Sequence, residues 1–72
     1  MAEDFKFEIT EHLGTLSTNA KGWTREFNKV SWNGRAPKYD IRDWDENHEK
    51  MGKGLTFSPE DIEKLKELLN GI

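Results

Sequence analysis

Asn33-Gly34 is the feature that most constrains this chain. The dipeptide favours a two-residue type I′ turn, which needs positive φ at both centres, and it lies between two arms running from Trp23 to Trp44. If it is the whole turn, Trp32 faces Arg35, Ser31 faces Ala36, Lys29 faces Lys38, Phe27 faces Asp40, Arg25 faces Arg42 and Trp23 faces Trp44. Opposed residues share a face of the sheet, as do alternate residues along a strand. One face then reads Trp23, Arg25, Phe27, Lys29 and Lys38, Asp40, Arg42, Trp44; the other carries Val30, Trp32, Tyr39 and Ile41 as core. Like charges directly opposed weaken a hairpin, so stability alone does not explain two such pairs. Cations and rings interleaved on an exposed sheet suit single-stranded nucleic acid, the cations following phosphates while the rings stack bases.

The rest of the chain supplies two more strands and a helix. Phe5 to Glu11 alternates apolar and polar, which predicts a strand burying Phe5, Phe7 and Ile9; it continues through Leu13, with Gly14 a point for a bulge. Asn19 to Gly22 has turn composition, Asp45 to Lys53 is a polar loop, and Leu55-Thr56-Phe57 is a short strand inward at Leu55 and Phe57. Ser58 is an N-cap, Pro59 takes the first helical position, and Glu60-Asp61 suit the helix dipole. Ile62, Leu65, Leu68 and Leu69 recur at helical spacing before Gly71. The expected class is α+β, an antiparallel four-stranded sheet followed by one C-terminal helix (β-β-β-β-α), as a single domain over 1–72.

Seventy-two residues without cysteine make a small domain that has no disulfide staple. The helix stripe Ile62, Leu65, Leu68, Leu69 exceeds what one face of so short a sheet needs, so a two-fold homodimer is expected with those residues at its interface. No metal or other cofactor is expected: His12 and His48 are far apart in sequence. Asp43, Asp45, Asn47 and Glu49 imitate the early ligands of a calcium loop, yet its sixth and twelfth positions fall on His48 and Gly54 rather than glycine and glutamate. No nucleophile–base pair stands at a recognisable spacing, so neither catalysis nor a small-molecule substrate is expected. No apolar run reaches membrane-spanning length and the start lacks a leader pattern, giving a soluble, cytoplasmic expectation with no membrane partner. The net charge of −3 is unevenly spread, because residues 21–42 hold six cations against two acids. That asymmetry fits one positive face on an acidic body.

Tyr39-Asp40-Ile41-Arg42-Asp43-Trp44, a polar loop, Lys53-Gly54-Leu55-Thr56-Phe57-Ser58-Pro59-Glu60 and then Leu65-Lys66-Glu67 together resemble the DNA-binding domain of the positive cofactor four coactivator family. The likeness is closest to its small bacterial YdbC-type members and covers roughly residues 23–69. It implies a curved four-stranded sheet and helix, a homodimer paired through helices and adjoining strand elements, and preferential binding of single-stranded DNA along the sheet. Transcription, replication or repair is the implied process, at the nucleoid at most. Arg42 matches an arginine of the family's DNA face, Trp44 falls in its aromatic cluster, and Lys53 lies in its basic loop. Trp32-Asn33-Gly34-Arg35 is similar to the family's hairpin tip, although Arg35 to Arg42 is one residue longer here. A bulge at Ala36-Pro37 would put Trp32 and Arg35 on the face of Arg42; without one they lie on the core side. The expected nucleic-acid contacts are thus Lys21, Trp23, Arg25, Phe27, Lys29, Trp32, Arg35, Lys38, Arg42, Trp44 and Lys53. RNA is the alternative ligand, and a protein-interaction module anchored by Trp23, Phe27 and Trp44 is the alternative from another class.

Overall fold

The computed structural model describes residues 6–72; Phe5, expected in the first strand, lies outside them. Four strands, β1 (Phe7–Thr18), β2 (Thr24–Trp32), β3 (Lys38–Trp44) and β4 (Met51–Phe57), precede one helix, α1 (Pro59–Asn70). The strands pair antiparallel in chain order, forming a curved sheet. β1 outruns its predicted end and slips register at three points, one of them between His12 and Gly14. Each slip adds an unpaired residue, and such bulges bend and twist a strand. β4 likewise begins earlier than expected, at Met51.

The hairpin tip forms as expected, with Asn33 at φ 52° and Gly34 at φ 77° and Arg35 N donating to Trp32 O at 3.0 Å. Beyond the tip the predicted register fails. Val30 faces Lys38, Lys29 faces Tyr39, Phe27 faces Ile41, Glu26 faces Arg42 and Arg25 faces Asp43. Ser31 therefore stands across from both Ala36 and Pro37, so the bulge alternative holds. Pro37 has no N–H for a ladder bond, which makes it a natural residue for that bulge. A slip of one residue moves every β3 side chain to the other face. The predicted pairs Lys29–Lys38 and Arg25–Arg42 are replaced by Glu26–Arg42 and Arg25–Asp43, which are complementary in charge.

The two faces are consequently mixed differently from the expectation. Thr24, Glu26, Asn28, Val30 and Trp32 share a face with Lys38, Asp40, Arg42 and Trp44; Arg25, Phe27 and Lys29 share the other with Tyr39, Ile41 and Asp43. Trp44 and Val30 are wholly buried on the first face, together with Glu26, Asn28 and Asp40. Phe7 closes over this group, its ring centroid 5.2 Å from Trp44 and 6.2 Å from Trp32. Trp44, expected as an exposed stacking platform, is therefore core, and Tyr39 and Ile41 are half-buried on the opposite side.

The helix packs over part of that second face. Ser58 Oγ accepts from Asp61 N at 3.1 Å, capping α1 as predicted. Ile62 is buried, Leu65 half-buried, and Leu68 and Leu69 are exposed. A cavity of ≈180 Å³ remains among Leu16, Phe27, Ile41, Ile62, Leu65, Lys66 and Leu69. Leu55 was expected inward, but it faces the helix side at 65 % exposure.

Candidate nucleic-acid interface

The face built on β2 and β3 holds two anchored carboxylates and a ring-and-guanidinium pair. Asp40 is fully buried. It accepts from Arg42 Nε at 2.7 Å, Arg42 Nη2 at 2.9 Å and Thr56 Oγ1 at 2.9 Å. Residues two apart on a strand share a face, so Asp40 and Arg42 meet without any turn between them. A fork-to-fork pair of this kind fixes the guanidinium in one plane. Its Cζ lies over the Trp32 ring, 4.8 Å from the centroid, a cation–π arrangement. Gly54 stands opposite Arg42, and a Cβ there would overlap the Arg42 Cβ and the Ile41 carbonyl. The absence of a side chain at Gly54 lets β4 approach this site.

Arg42 was expected in solvent, yet its side chain is only 15 % exposed. Its charge is largely matched by Asp40, which leaves it a stacking surface more than a free phosphate contact. Among the described residues, Lys38 on the same face and Arg35 at the tip are exposed cations without an ion pair. Lys6 is tied to that tip: its backbone N donates to Asn33 Oδ1 at 2.9 Å and its carbonyl accepts from Asn33 N at 2.8 Å. A second cavity, of ≈240 Å³, opens beside it among Lys6, Phe7, Glu8, Ser31 and Gly34.

Farther along the same face, Glu26 is 4 % exposed. It accepts from Thr24 Oγ1 at 2.5 Å, Asn28 Nδ2 at 3.1 Å and His48 Nε2 at 2.8 Å. Burial by itself would raise its proton affinity; those hydrogen bonds and the His48 charge outweigh it, holding the carboxyl below its ordinary value. His48 stacks on Trp44 with centroids 5.7 Å apart. The turn that presents His48 is locked by Asp45, whose carboxylate accepts from Glu49 N and Lys50 N at 2.8 and 2.9 Å. Those backbone donors, Lys50 N foremost, hold Asp45 below its usual range.

The predicted contacts thus divide. Trp32, Lys38, Arg42 and Trp44 share one face, with Trp44 buried beneath the surface. Arg25, Phe27 and Lys29 belong to the helix side, where Arg25 Nε donates to Asp43 Oδ1 at 2.9 Å. Phe27 stacks on Tyr39 at 5.8 Å, and Lys29 Nζ sits 5.1 Å over that same ring. Lys21 is exposed in the β1–β2 turn, Trp23 half-buried before β2, and Lys53 exposed in β4. Sequence reasoning missed Glu26, Asn28, His12 and His48. The signal for Glu26 and Asn28 was Glu26-x-Asn28-x-Val30, an alternation that runs polar groups into the buried face.

The family model for the transcriptional coactivator p15 (PC4) matches residues 19–68. A protein of uncharacterised function from Treponema pallidum (strain Nichols) is 49 % identical over 70 residues, covering 97 % of this chain and 82 % of the relative's length. The chain belongs to the PC4 family, a non-enzymatic, nucleic-acid-binding group whose members bind single-stranded DNA. Among the described residues no helix is long and apolar enough to cross a membrane.

Proposed function

We propose that this protein binds single-stranded DNA with little sequence specificity, on the face that carries Trp32, Lys38 and Arg42, in the service of transcription, replication or repair at the nucleoid. The observation that carries the reading is the half-exposed Trp32 ring with the Arg42 guanidinium fixed over it and Lys38 and Arg35 free beside it. A ring with a flanking cation accepts any base, because every base has a π-face, while the lysine and arginine follow the backbone. Duplex DNA offers neither unstacked bases nor a flexible strand. Titration of labelled oligonucleotides should rank single-stranded DNA above duplex of equal length. Trp32→Ala should cost about 1–3 kcal/mol of binding, and Lys38→Ala should make the log–log salt slope shallower by roughly 0.7. Equal or tighter duplex binding contradicts the proposal, and tighter RNA binding transfers it to RNA.

The binding unit is a homodimer paired through the helix side of the sheet. Leu16, Leu55, Leu68 and Leu69 are each more than half exposed there, around an apolar cleft. Apolar patches of this extent on so small a body mark an association surface. A second copy brings the same leucines to a two-fold interface. Sedimentation should give twice the 8.4 kDa chain mass, and Leu69→Glu should shift it toward monomer. A folded, monodisperse wild-type monomer at micromolar concentration rules the dimer out.

A further inference from the structure

His12 on β1 and His48 in the β3–β4 turn flank Glu26 and, with Ile9, line a cavity of ≈250 Å³. His48 Nε2 lies 2.8 Å from one carboxylate oxygen, and His12 Nδ1 lies 3.6 Å from the other. An ionised carboxylate only accepts, so His48 carries its proton on Nε2. Asn28 donates its amide to Glu26, which turns its carbonyl oxygen toward His12 Nδ1 at 2.7 Å and puts the His12 proton there. The network thus assigns both tautomers and leaves His48 Nδ1 and His12 Nε2, the latter 3.5 Å from Thr15 Oγ1, as the nitrogens that take up a further proton. Both rings stay reachable, with side chains 51 % and 41 % exposed.

Among the described residues, the charged groups facing these rings are few. β2 contributes Glu26, the turn contributes Asp45 with Lys50 beside it, and β3 contributes the neutral Trp44 ring. Arg42, across from Glu26, is already matched by Asp40. With both imidazoles neutral, Glu26 and the two histidines together carry one negative charge and repel a phosphate. With both protonated, the trio carries one positive charge, and Glu26 still anchors each ring. The chain has no other histidine or any cysteine, so no other side chain ordinarily titrates between pH 5 and 8.

We propose that His12 and His48 form a proton-gated phosphate contact for the strand bound on this face, so that affinity rises as the pH falls from 7.5 to 5.5. The proposal rests on the single-strand reading above. Binding and protonation are reciprocal: a phosphate beside an imidazole favours its charged form, and the charged form favours the phosphate.

The test is a titration of labelled oligothymidylate, which has no titrating base in that range, against the full chain at fixed ionic strength. Affinity should be severalfold higher at pH 5.5 than at pH 7.5, with about tenfold as the limit that one extra pH-unit of proton affinity in the complex produces. The double variant His12→Gln, His48→Gln should lose the rise in affinity between pH 7.5 and pH 5.5. Glu26→Gln removes the negative charge and should bind more tightly at pH 7.5. The imidazole resonances of both histidines should move when oligothymidylate is added at pH 5.5, a response that a purely structural role would not produce. Wild-type affinity that is flat with pH, or a rise that survives in the double variant, overturns the proposal. Absence of binding at both pH values, even at low salt, overturns the single-strand reading and this inference together.

Discussion

The two faces of the sheet invert the usual division between inside and outside. On the face of Trp44, the carboxylates of Glu26 and Asp40 and the amide of Asn28 are buried. On the helix face, Leu16, Leu55, Leu68 and Leu69 are in solvent. Burying a charge is costly unless it is paired and hydrogen-bonded. Asp40 meets that condition with three donors and Glu26 with three. The first face is complete within one chain, and its polar groups hold Arg42 and His48 in set positions. The second face is apolar but open, as expected of a surface that a partner chain completes. Under the proposed function, binding belongs to the first face and assembly to the second.

Truncations under the Trp44 face should cost most. Trp44→Ala removes a wholly buried indole that touches Phe7 and His48, and should destabilise the fold by about 3–5 kcal/mol in a denaturant titration. If that midpoint barely moves, Trp44 is a surface ring after all and the comparison breaks. Arg42→Ala should follow at about 3 kcal/mol, because it leaves Asp40 buried without its charge partner. Arg25→Ala, at the exposed Arg25–Asp43 pair of the other face, should leave the midpoint unchanged. Equal effects from the two arginines would erase the distinction between the faces.

Acid sharpens the same contrast with a smaller effect. The folded Glu26 carboxyl sits below the ordinary value of 4.5 that it takes in the unfolded chain, so its contribution to stability is fully present above 4.5. It is lost as the pH falls through the lower folded value. Unfolding followed from pH 6 to pH 3 should show stability falling below about pH 4.5, and Glu26→Gln should flatten that fall. An unchanged acid limb in the variant would mean that the hydrogen bonds to Glu26 contribute nothing to folding.

Much of the fold was legible because it rests on local chemistry. Ser58, Pro59 and the Ile62–Leu69 spacing bound the helix, Asn33-Gly34 makes the tip, and Gly14 borders one of the β1 slips. The face assignment was not legible. Both alternations of β2, Arg25-Phe27-Lys29 and Glu26-Asn28-Val30, mix polar with apolar residues, so hydrophobic pattern does not choose between registers one residue apart. The choice is made by the bulge at Ala36-Pro37 and by the Arg25–Asp43 pair across the strands, which are tertiary facts. Of the expected contacts, Trp32, Lys38 and Arg42 come together through that bulge, whereas Arg25, Phe27 and Lys29 do not join them. The polar cluster around Glu26 escaped notice because its members come from β1, β2 and the 45–50 turn.

The central claim is that a single strand of DNA lies on the Trp32–Arg42 face and leaves the helix face untouched. Two-dimensional NMR of the labelled protein, titrated with a short oligothymidylate, tests it directly. The Trp32 indole N–H, the Arg42 Nε–H and the amides of Lys38 and Arg35 should shift together and saturate at one affinity. The Phe27, Lys29, Leu55 and Leu69 amides should stay in place. Shifts centred on Phe27, Lys29 and Leu55, with Trp32 and Arg42 unmoved, would contradict it.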